Sequence, residues 1–167
     1  MKNLIILAII VLITISCSKE KEEPSTDFIS VVFHFNILNK EREDLLNSNT
    51  ANYYPADSMK LYYLINNEVI EVLDTNMDSP RNIFLITTCN PHRLGIASYD
   101  GLEGLISEND SVKTGISITY LELDSTDTDT IKTEWESADN YFINKKVWYN
   151  GVLQEHPSRI FEITKDR

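Results

Sequence analysis

Three aspartates stand close together in the segment LDSTDTDTI, residues 123–131, and their carboxylates could bind a cation. Asp124, Asp127 and Asp129 would supply the hard oxygen ligands that Ca²⁺ prefers. The spacing does not fit the calcium loop of about twelve residues, because no glycine stands at its sixth position and Glu134 falls one residue short of its end. Asp, Ser and Thr are also ordinary turn formers. The segment is therefore predicted to be a turn between two strands, and the three aspartates are kept as weak calcium candidates.

Aromatic side chains occur in adjacent pairs, as in Tyr62-Tyr63 and Trp148-Tyr149. Successive residues of a strand point to opposite faces of the sheet, so one ring of each pair should face outward. Exposed rings can stack on sugars or anchor a protein contact. Cross-strand aromatic pairing, which only stabilises a sheet, explains the same pattern. These four residues are the candidate binding aromatics, for a glycan or a partner protein.

The sequence patterns of common catalytic and cofactor sites are absent. His34, His92 and His156 are far apart in the sequence and form no paired metal motif. The chain has only five glycines and lacks a phosphate-binding loop, a dinucleotide-binding glycine pattern and a GxSxG elbow. Whether two of the 26 acidic residues form a catalytic pair depends on geometry that the sequence does not give. We therefore expect no enzyme and no cofactor, with a hydrolase as the less favoured alternative.

The elements that would position these residues are short strands. From residue 28 onward, apolar side chains recur with a period of two, beginning with FISVVFHFNIL, residues 28–38. Further strands are predicted for 60–66, 68–74, 82–89, 92–98, 115–123, 129–135, 141–154 and 159–165. In GISITYLEL, residues 115–123, the alternating sets are Ile116, Ile118 and Tyr120 against Ser117 and Thr119. Asn66-Asn67 and Asn150-Gly151 predict tight hairpin turns, because both residue types tolerate a positive φ.

Strands that do not alternate with helices predict an all-β fold. About eight to ten strands would form an antiparallel β-sandwich, immunoglobulin-like or transthyretin-like, with a small lipocalin-like β-barrel as the alternative. Residues 99–114 show the weakest pattern and are predicted to form a surface loop. No internal repeat or second domain is visible, and the length suits one domain.

The amino-terminal residues have the pattern of an export signal. Lys2 precedes ten uninterrupted apolar residues, 4–13, whereas a membrane-spanning helix needs about 20. A positive start, a short apolar run and small residues before a cleavage point are typical of a secretory signal peptide. After Cys17 the polar stretch SKEKEEPSTD predicts a flexible tether. We therefore divide the chain into a signal peptide (1–16), a cysteine with its acidic tether (17–27) and a single all-β domain (28–167).

The sequence TISC, which ends at Cys17, resembles the lipobox of bacterial lipoproteins, although Thr14 replaces the usual Leu, Val or Ile. The resemblance implies cleavage before Cys17 and fatty-acyl chains of the palmitate type on that residue. Cys89 is then left without a disulfide partner and is predicted to be a small buried residue of the core.

The residues after Cys17 resemble the export signal of Bacteroidetes surface lipoproteins, in which a lysine is followed by acidic residues. They are Lys19, Glu20, Lys21, Glu22 and Glu23. The resemblance implies a lipid-anchored protein of the outer membrane at the cell surface, with the periplasmic face as the alternative.

The body of the chain resembles small Bacteroidetes lipoproteins of unknown function. The resemblance lies in DLLN (44–47), MKLYYLINNEVIEV (59–72), TDTDTIKTEW (126–135) and KVWYNGVL (146–153). It implies a secreted β-rich domain and supplies no catalytic residues. The net charge of −11 disfavours nucleic acid as a partner. We expect a non-catalytic binding module, attached to the membrane through its lipid, that engages a glycan or an envelope protein; a structural envelope lipoprotein without a small ligand is the alternative.

Overall fold

The computed structural model describes residues 28–30, 32–98, 105–109, 112–154 and 160–167. Within these residues the chain forms twelve strands and one short 3₁₀ helix, Ala56–Ser58. The strands are β1 (Phe28–Ser30), β2 (Val32–Leu38), β3 (Lys60–Ile65), β4 (Glu68–Glu71), β5 (Ile83–Ile86), β6 (Arg93–Ala97), β7 (Leu105–Asn109), β8 (Val112–Asp124), β9 (Asp127–Ala138), β10 (Tyr141–Tyr149), β11 (Val152–Gln154) and β12 (Ile160–Thr164). The predicted all-β class is confirmed.

The strands form two sheets, which face each other as a sandwich. The larger sheet has the order β1-β10-β9-β8-β3-β4, with β11 also paired to β10 and β7 also paired to β8. The smaller sheet has the order β12-β2-β6-β5. All pairs are antiparallel except β1 with β10 and β12 with β2. In the described part of the chain both sheets stay open at their edges, so the sandwich prediction holds and the barrel alternative does not.

The hydrophobic core lies between the sheets and follows from the period-two pattern. Strand β2 buries Phe33, Phe35 and Ile37 from the smaller sheet, and the larger sheet opposes them with apolar residues of β3, β8, β9 and β10. The ring of Phe35 lies 5.3 Å from that of Phe161 and 5.6 Å from that of Tyr149, so it links both sheets. Each fully buried side chain of this kind stabilises the fold by about 1.5–3 kcal/mol.

Both predicted hairpin turns are present. Asn66 and Asn67 have φ values of 51° and 65° and join β3 to β4. Asn150 and Gly151 have φ values of 48° and 82° and join β10 to β11. Positive φ at both central residues gives the turn the twist that a two-residue hairpin requires.

Two local predictions are wrong. Residues 105–109 are strand β7, paired with the beginning of β8 at Val112, in a stretch that we predicted to be a loop; residues 99–104 and 110–111 lie outside the described residues. Pairing with a neighbouring strand outweighs the weak local pattern there. Cys89 is only partly buried, because β5 ends at Ile86 and the chain turns before it reaches the cysteine.

Candidate functional site

The paired aromatic residues are divided between the two faces of the larger sheet. Tyr63 and Tyr149 point inward and are buried in the core. Tyr62 and Trp148 point outward and are partly exposed. Because strand alternation determines this division, each pair places one ring on the outer face.

A third ring joins the outer face through β8. Tyr120 is the direct cross-strand neighbour of Tyr62 and is also partly exposed. In the next row, Ile118, Lys132, Trp148 and Leu153 are consecutive neighbours across β8, β9, β10 and β11. Strands lie about 4.8 Å apart, so this row extends over about 14 Å. We call Tyr62, Ile118, Tyr120, Trp148 and Leu153 the aromatic platform.

The platform includes the first half of β8, where the usual order of polar and apolar faces is reversed; in the second half, Leu121 and Leu123 face the core in the usual way. Ser117 and Thr119 are buried between the sheets, whereas Ile116, Ile118 and Tyr120 lie on the outer face. A half-buried strand normally turns its apolar set to the core and its polar set to water. The sequence displayed this alternation, but Ile116, Ile118 and Tyr120 favoured one face as the inner face, whereas Leu121 and Leu123 favoured the other.

The buried polar set has no compensating hydrogen bonds among the described residues. The hydroxyls of Ser117, Thr119 and Thr133 and the indole N–H of Trp135 lack a partner there. Ser117 and Thr133 are direct cross-strand neighbours, so these groups are close together on the inner face. Buried polar groups without a partner are destabilising, so these side chains are less favourable on an inner face than apolar ones would be.

Neighbouring charges hold two platform rings in place. The hydroxyl of Tyr62 donates to Glu122 Oε2 at 2.8 Å. Burial and this carboxylate raise the pKa of Tyr62. The ammonium group of Lys132 lies 4.9 Å from the ring centre of Trp148, a cation–π distance. Rings that are already fixed lose less conformational entropy when a ligand stacks on them.

The candidate calcium residues lie in a second polar cluster at the β8–β9 hairpin. Asp129 is buried, with about 1% of its surface exposed. The ammonium nitrogen of Lys165 lies 2.8 and 2.7 Å from its two carboxylate oxygens and 2.7 Å from Asp127 Oδ1. Asn150 Nδ2 donates to Asp129 Oδ1 at 2.7 Å. A side-chain cation therefore lies between two of the three aspartates.

Two buried tyrosines complete this cluster. The hydroxyl of Tyr149 donates to Asp129 and that of Tyr54 donates to Asp127. Burial raises the pKa of both tyrosines above the ordinary value, and the neighbouring aspartates raise it further. Lys165 follows β12, so the cluster fastens the C-terminal residues to the hairpin. We call Tyr54, Asp127, Asp129, Tyr149 and Lys165 the C-terminal clamp.

Asp124 stands at the turn beside the clamp. Its Oδ1 accepts hydrogen bonds of 2.8 Å from both the amide and the hydroxyl of Thr126, which lower the pKa of the carboxyl. The guanidinium of Arg167 pairs with Asp124 and lies 4.1 Å from the ring centre of Tyr54. In the described ranges no group of three or more His, Cys, Asp or Glu side chains is arranged to hold a metal ion. The aspartates thus bond to the turn, to Lys165 and to Arg167.

The remaining candidates lie elsewhere or outside the described residues. His92 sits in a loop, where its amide donates to Asp44 at 2.8 Å. His156, Cys17 and the export-signal residues 19–23 lie outside the described residues. The part of the chain that the structure describes contains no helix long and apolar enough to span a membrane.

The fold and the outer face together define an all-β sandwich domain with an aromatic platform on its larger sheet. Comparison with protein-family models, with curated proteins and with solved structures gave no match for this chain.

Proposed function

We propose that this protein is a non-catalytic binding domain, held at the outer membrane by lipid on Cys17, that binds neutral carbohydrate chains on the aromatic platform. The observation that carries the proposal is the reversed order of faces in the first half of β8, which buries Ser117 and Thr119 and places Ile118 and Tyr120 on the outer face. A departure from the folding pattern that destabilises the core is expected at functional sites.

A carbohydrate matches the chemistry of this platform. The apolar face of a sugar ring stacks on an aromatic side chain, and sugar hydroxyls need polar partners beside it. The outer face offers Glu122, Thr130 and Lys132 next to the rings. The net charge of −11 opposes anionic polysaccharides, so we propose a neutral chain.

The tether suits a domain that binds polymers near a membrane. Residues 18–27 separate Cys17 from the first strand. Ten extended residues reach at most about 35 Å, so the domain could turn its platform toward a chain while its lipid stays in the bilayer.

Replacing Trp148 by alanine is expected to weaken carbohydrate binding by about tenfold, because the ring supplies stacking area at the centre of the row. Electrophoresis of the Cys17→Ser protein through gels containing starch, xylan, mannan or hydroxyethylcellulose measures this as loss of retardation. Trp148→Phe, which keeps a ring, should lose less than Trp148→Ala. Phe84→Ala is the matched control, because Phe84 is an exposed ring on the smaller sheet.

If none of the four polysaccharides retards the Cys17→Ser protein with its platform unchanged, the proposal for neutral glycans is contradicted. If Trp148→Ala and Phe84→Ala lose gel retardation equally, the assignment of the carbohydrate-binding site to the larger sheet is contradicted. Either result would favour a structural envelope lipoprotein without a small ligand.

Replacing Cys17 by serine is expected to move the protein from the membrane to the soluble fraction, because the thiol that carries the anchor is lost. Alanine at positions 19, 20, 22 and 23 should leave the protein on the membrane but protect it from protease added to intact cells. Fractionation and protease treatment of wild type and both variants measure the two effects. Membrane retention of Cys17→Ser would contradict the anchor, and resistance of wild type to protease would favour the periplasmic face.

A further inference from the structure

In the described part of the chain, each of the two sheets ends in an unpaired edge strand on the same side of the sandwich. Strand β4 is the edge of the larger sheet and β5 is the edge of the smaller sheet. They are consecutive in the chain and are joined by residues 72–82. Val72 and Ile83, at the two ends of this connection, both pack against the core. We call β4, residues 72–82 and β5 the open edge.

The open edge carries an unusual share of exposed apolar side chains. Val69, Leu73 and Met77 have 58, 58 and 56% of their surface exposed. Ile70, Phe84 and Leu85 are also exposed. Six of the eleven large exposed apolar residues in the described ranges therefore lie on this one edge. Apolar residues concentrated in this way mark an interaction surface.

A cavity opens beside these residues. Its volume is about 310 Å³, and Met59, Ile83 and Leu85 form its apolar lining. Arg81 also lines it, but this side chain donates to the carbonyl oxygens of Asp57 and Met59 at 3.0 Å each. The cavity is thus a preformed recess with a mixed lining, because Asp57, Asp78, Ser79 and Arg81 stand beside its apolar residues, and its apolar part could hold an apolar side chain.

The backbone of β4 can accept another strand. The amide of Val72 donates to Leu61 O at 2.8 Å, which fixes the alternation of hydrogen bonds between β3 and β4. In antiparallel pairs every second residue bonds to the partner strand, so Ile70 bonds to β3 while Val69 and Glu71 direct their N–H and C=O groups to the free edge. Exposed edges of this kind are templates for strand addition.

Charge selects the occupant of this edge. Five exposed acidic residues lie on the open edge or border its cavity. They are Glu68, Glu71, Asp74, Asp78 and Asp57. No ion pair among the described residues involves any of them. Pairing with a second copy would bring the same acids together, and the net charge of −11 would add to the repulsion. A basic partner would be attracted instead.

We propose that the open edge binds an extended polypeptide segment in which apolar residues alternate with lysine or arginine. The segment adds as a strand to β4 and places its cations beside the acidic residues, and the cavity at the β5 end of the same edge offers a recess for one of its apolar side chains. This site adjoins the aromatic platform at Glu71, the cross-strand neighbour of Tyr62, but uses none of the platform residues.

A matched pair of fluorescein-labelled peptides, Lys-Val-Lys-Val-Lys-Val-Lys and Glu-Val-Glu-Val-Glu-Val-Glu, tests the proposal by fluorescence anisotropy with the full-length Cys17→Ser protein. The basic peptide should bind and the acidic one should not. Val69→Pro should weaken binding by about tenfold, because proline removes the free N–H of Val69 while the bonds from β4 to β3 remain. Circular dichroism checks that this variant is folded.

Charge reversal gives a second, independent test. Glu71→Lys with Asp78→Lys should weaken binding by about tenfold. Glu41→Lys with Asp139→Lys changes the net charge equally at exposed sites in other loops and should have a much smaller effect. Trp148→Ala should leave peptide binding unchanged, which separates this result from the test of carbohydrate binding.

Equal binding of both peptides, or full binding by folded Val69→Pro, would overturn the proposal. If sedimentation reveals a dimer of this chain that Val69→Pro abolishes, the occupant of the open edge is a second copy and not a basic partner. That result would also overturn the proposal.

Discussion

Replacing Asp129 by alanine is expected to lower the free energy of unfolding by about 3–5 kcal/mol, because it removes one of the two carboxylates that pair with the largely buried Lys165 and leaves two further donors without their acceptor. Asp129 is buried, and the side chain of Lys165 is only 13% exposed. The same change removes the acceptor for Tyr149 and for the side-chain amide of Asn150. Three donors would therefore lose a bond in one substitution. Urea-induced unfolding followed by circular dichroism measures the difference.

An exposed ion pair provides the control for this prediction. Lys146 and Glu134 are 3.0 Å apart on the outer face, and both side chains are well exposed. Lys146→Ala should change the free energy of unfolding by less than about 1 kcal/mol, because solvent screens such a pair.

A double variant tests whether the loss comes from an unpaired charge. Asp129→Leu combined with Lys165→Met replaces the charged pair by apolar side chains and should recover much of the loss, although Asp127 and Tyr149 keep their polar groups. If Asp129→Ala costs no more than Lys146→Ala, the C-terminal clamp does not stabilise the fold.

The protein is expected to lose stability steeply above pH 10 because of the two tyrosines in the clamp. Burial and the aspartates raise the pKa of Tyr54 and Tyr149 above the ordinary value of 10.0. Above pH 10 the unfolded chain therefore releases two protons that the folded chain keeps. Each retained proton lowers the free energy of unfolding by about 1.4 kcal/mol per pH unit. The contribution is fully present below pH 10 and is lost as the pH rises toward the folded pKa values.

Tyr149→Phe removes the ionisable hydroxyl of one of these two tyrosines. The variant should reduce the slope of unfolding free energy against pH, measured between pH 10 and 11, by about 1 kcal/mol per pH unit, because an unfolded tyrosine is still half protonated at pH 10. Tyr53→Phe removes the neighbouring tyrosine hydroxyl outside the clamp and serves as the control. An unchanged slope for Tyr149→Phe would contradict the prediction, because it would mean that this hydroxyl ionises with the same pKa in the folded and unfolded chains. Absorbance at alkaline pH would register that ionisation directly.

The C-terminal clamp and the aromatic platform lie on opposite faces of the same hairpin, β8–β9. Strand β9 turns Asp129 inward to Lys165 and turns Thr130 and Lys132 outward beside the rings. Because one strand supports both, the rigidity of the clamp should help to keep the platform flat. Variants of the clamp are therefore poor probes of binding, and Trp148→Ala is the better one.

Several features of the fold were predictable because they depend on neighbours in the sequence. The period-two pattern predicts strands, and the absence of helical segments predicts a sandwich. Asn66-Asn67 and Asn150-Gly151 predict their turns because residue type determines which φ values are accessible. The same locality explains why adjacent aromatic residues must point to opposite faces. The lipid anchor and export signal are also sequence inferences, and they remain predictions to be tested by Cys17→Ser and its companion variant.

Other features were decided by contacts between distant segments. Lys165 reaches Asp127 and Asp129 across more than 30 residues, so no spacing rule could have found a lysine at the candidate calcium site. Strand β7 forms because β8 lies beside it, although its own pattern is weak.

The direction of β8 is the clearest case. Alternation puts Ile116, Ile118 and Tyr120 on one face of β8. The other face carries Ser117 and Thr119 but also Leu121 and Leu123, so both faces hold apolar residues and the strand alone does not say which one meets the second sheet. By itself the sequence determined that this protein is built from alternating strands with aromatic residues on both faces. The packing of one sheet against the other decided which rings stay outside, because only that contact defines an interior.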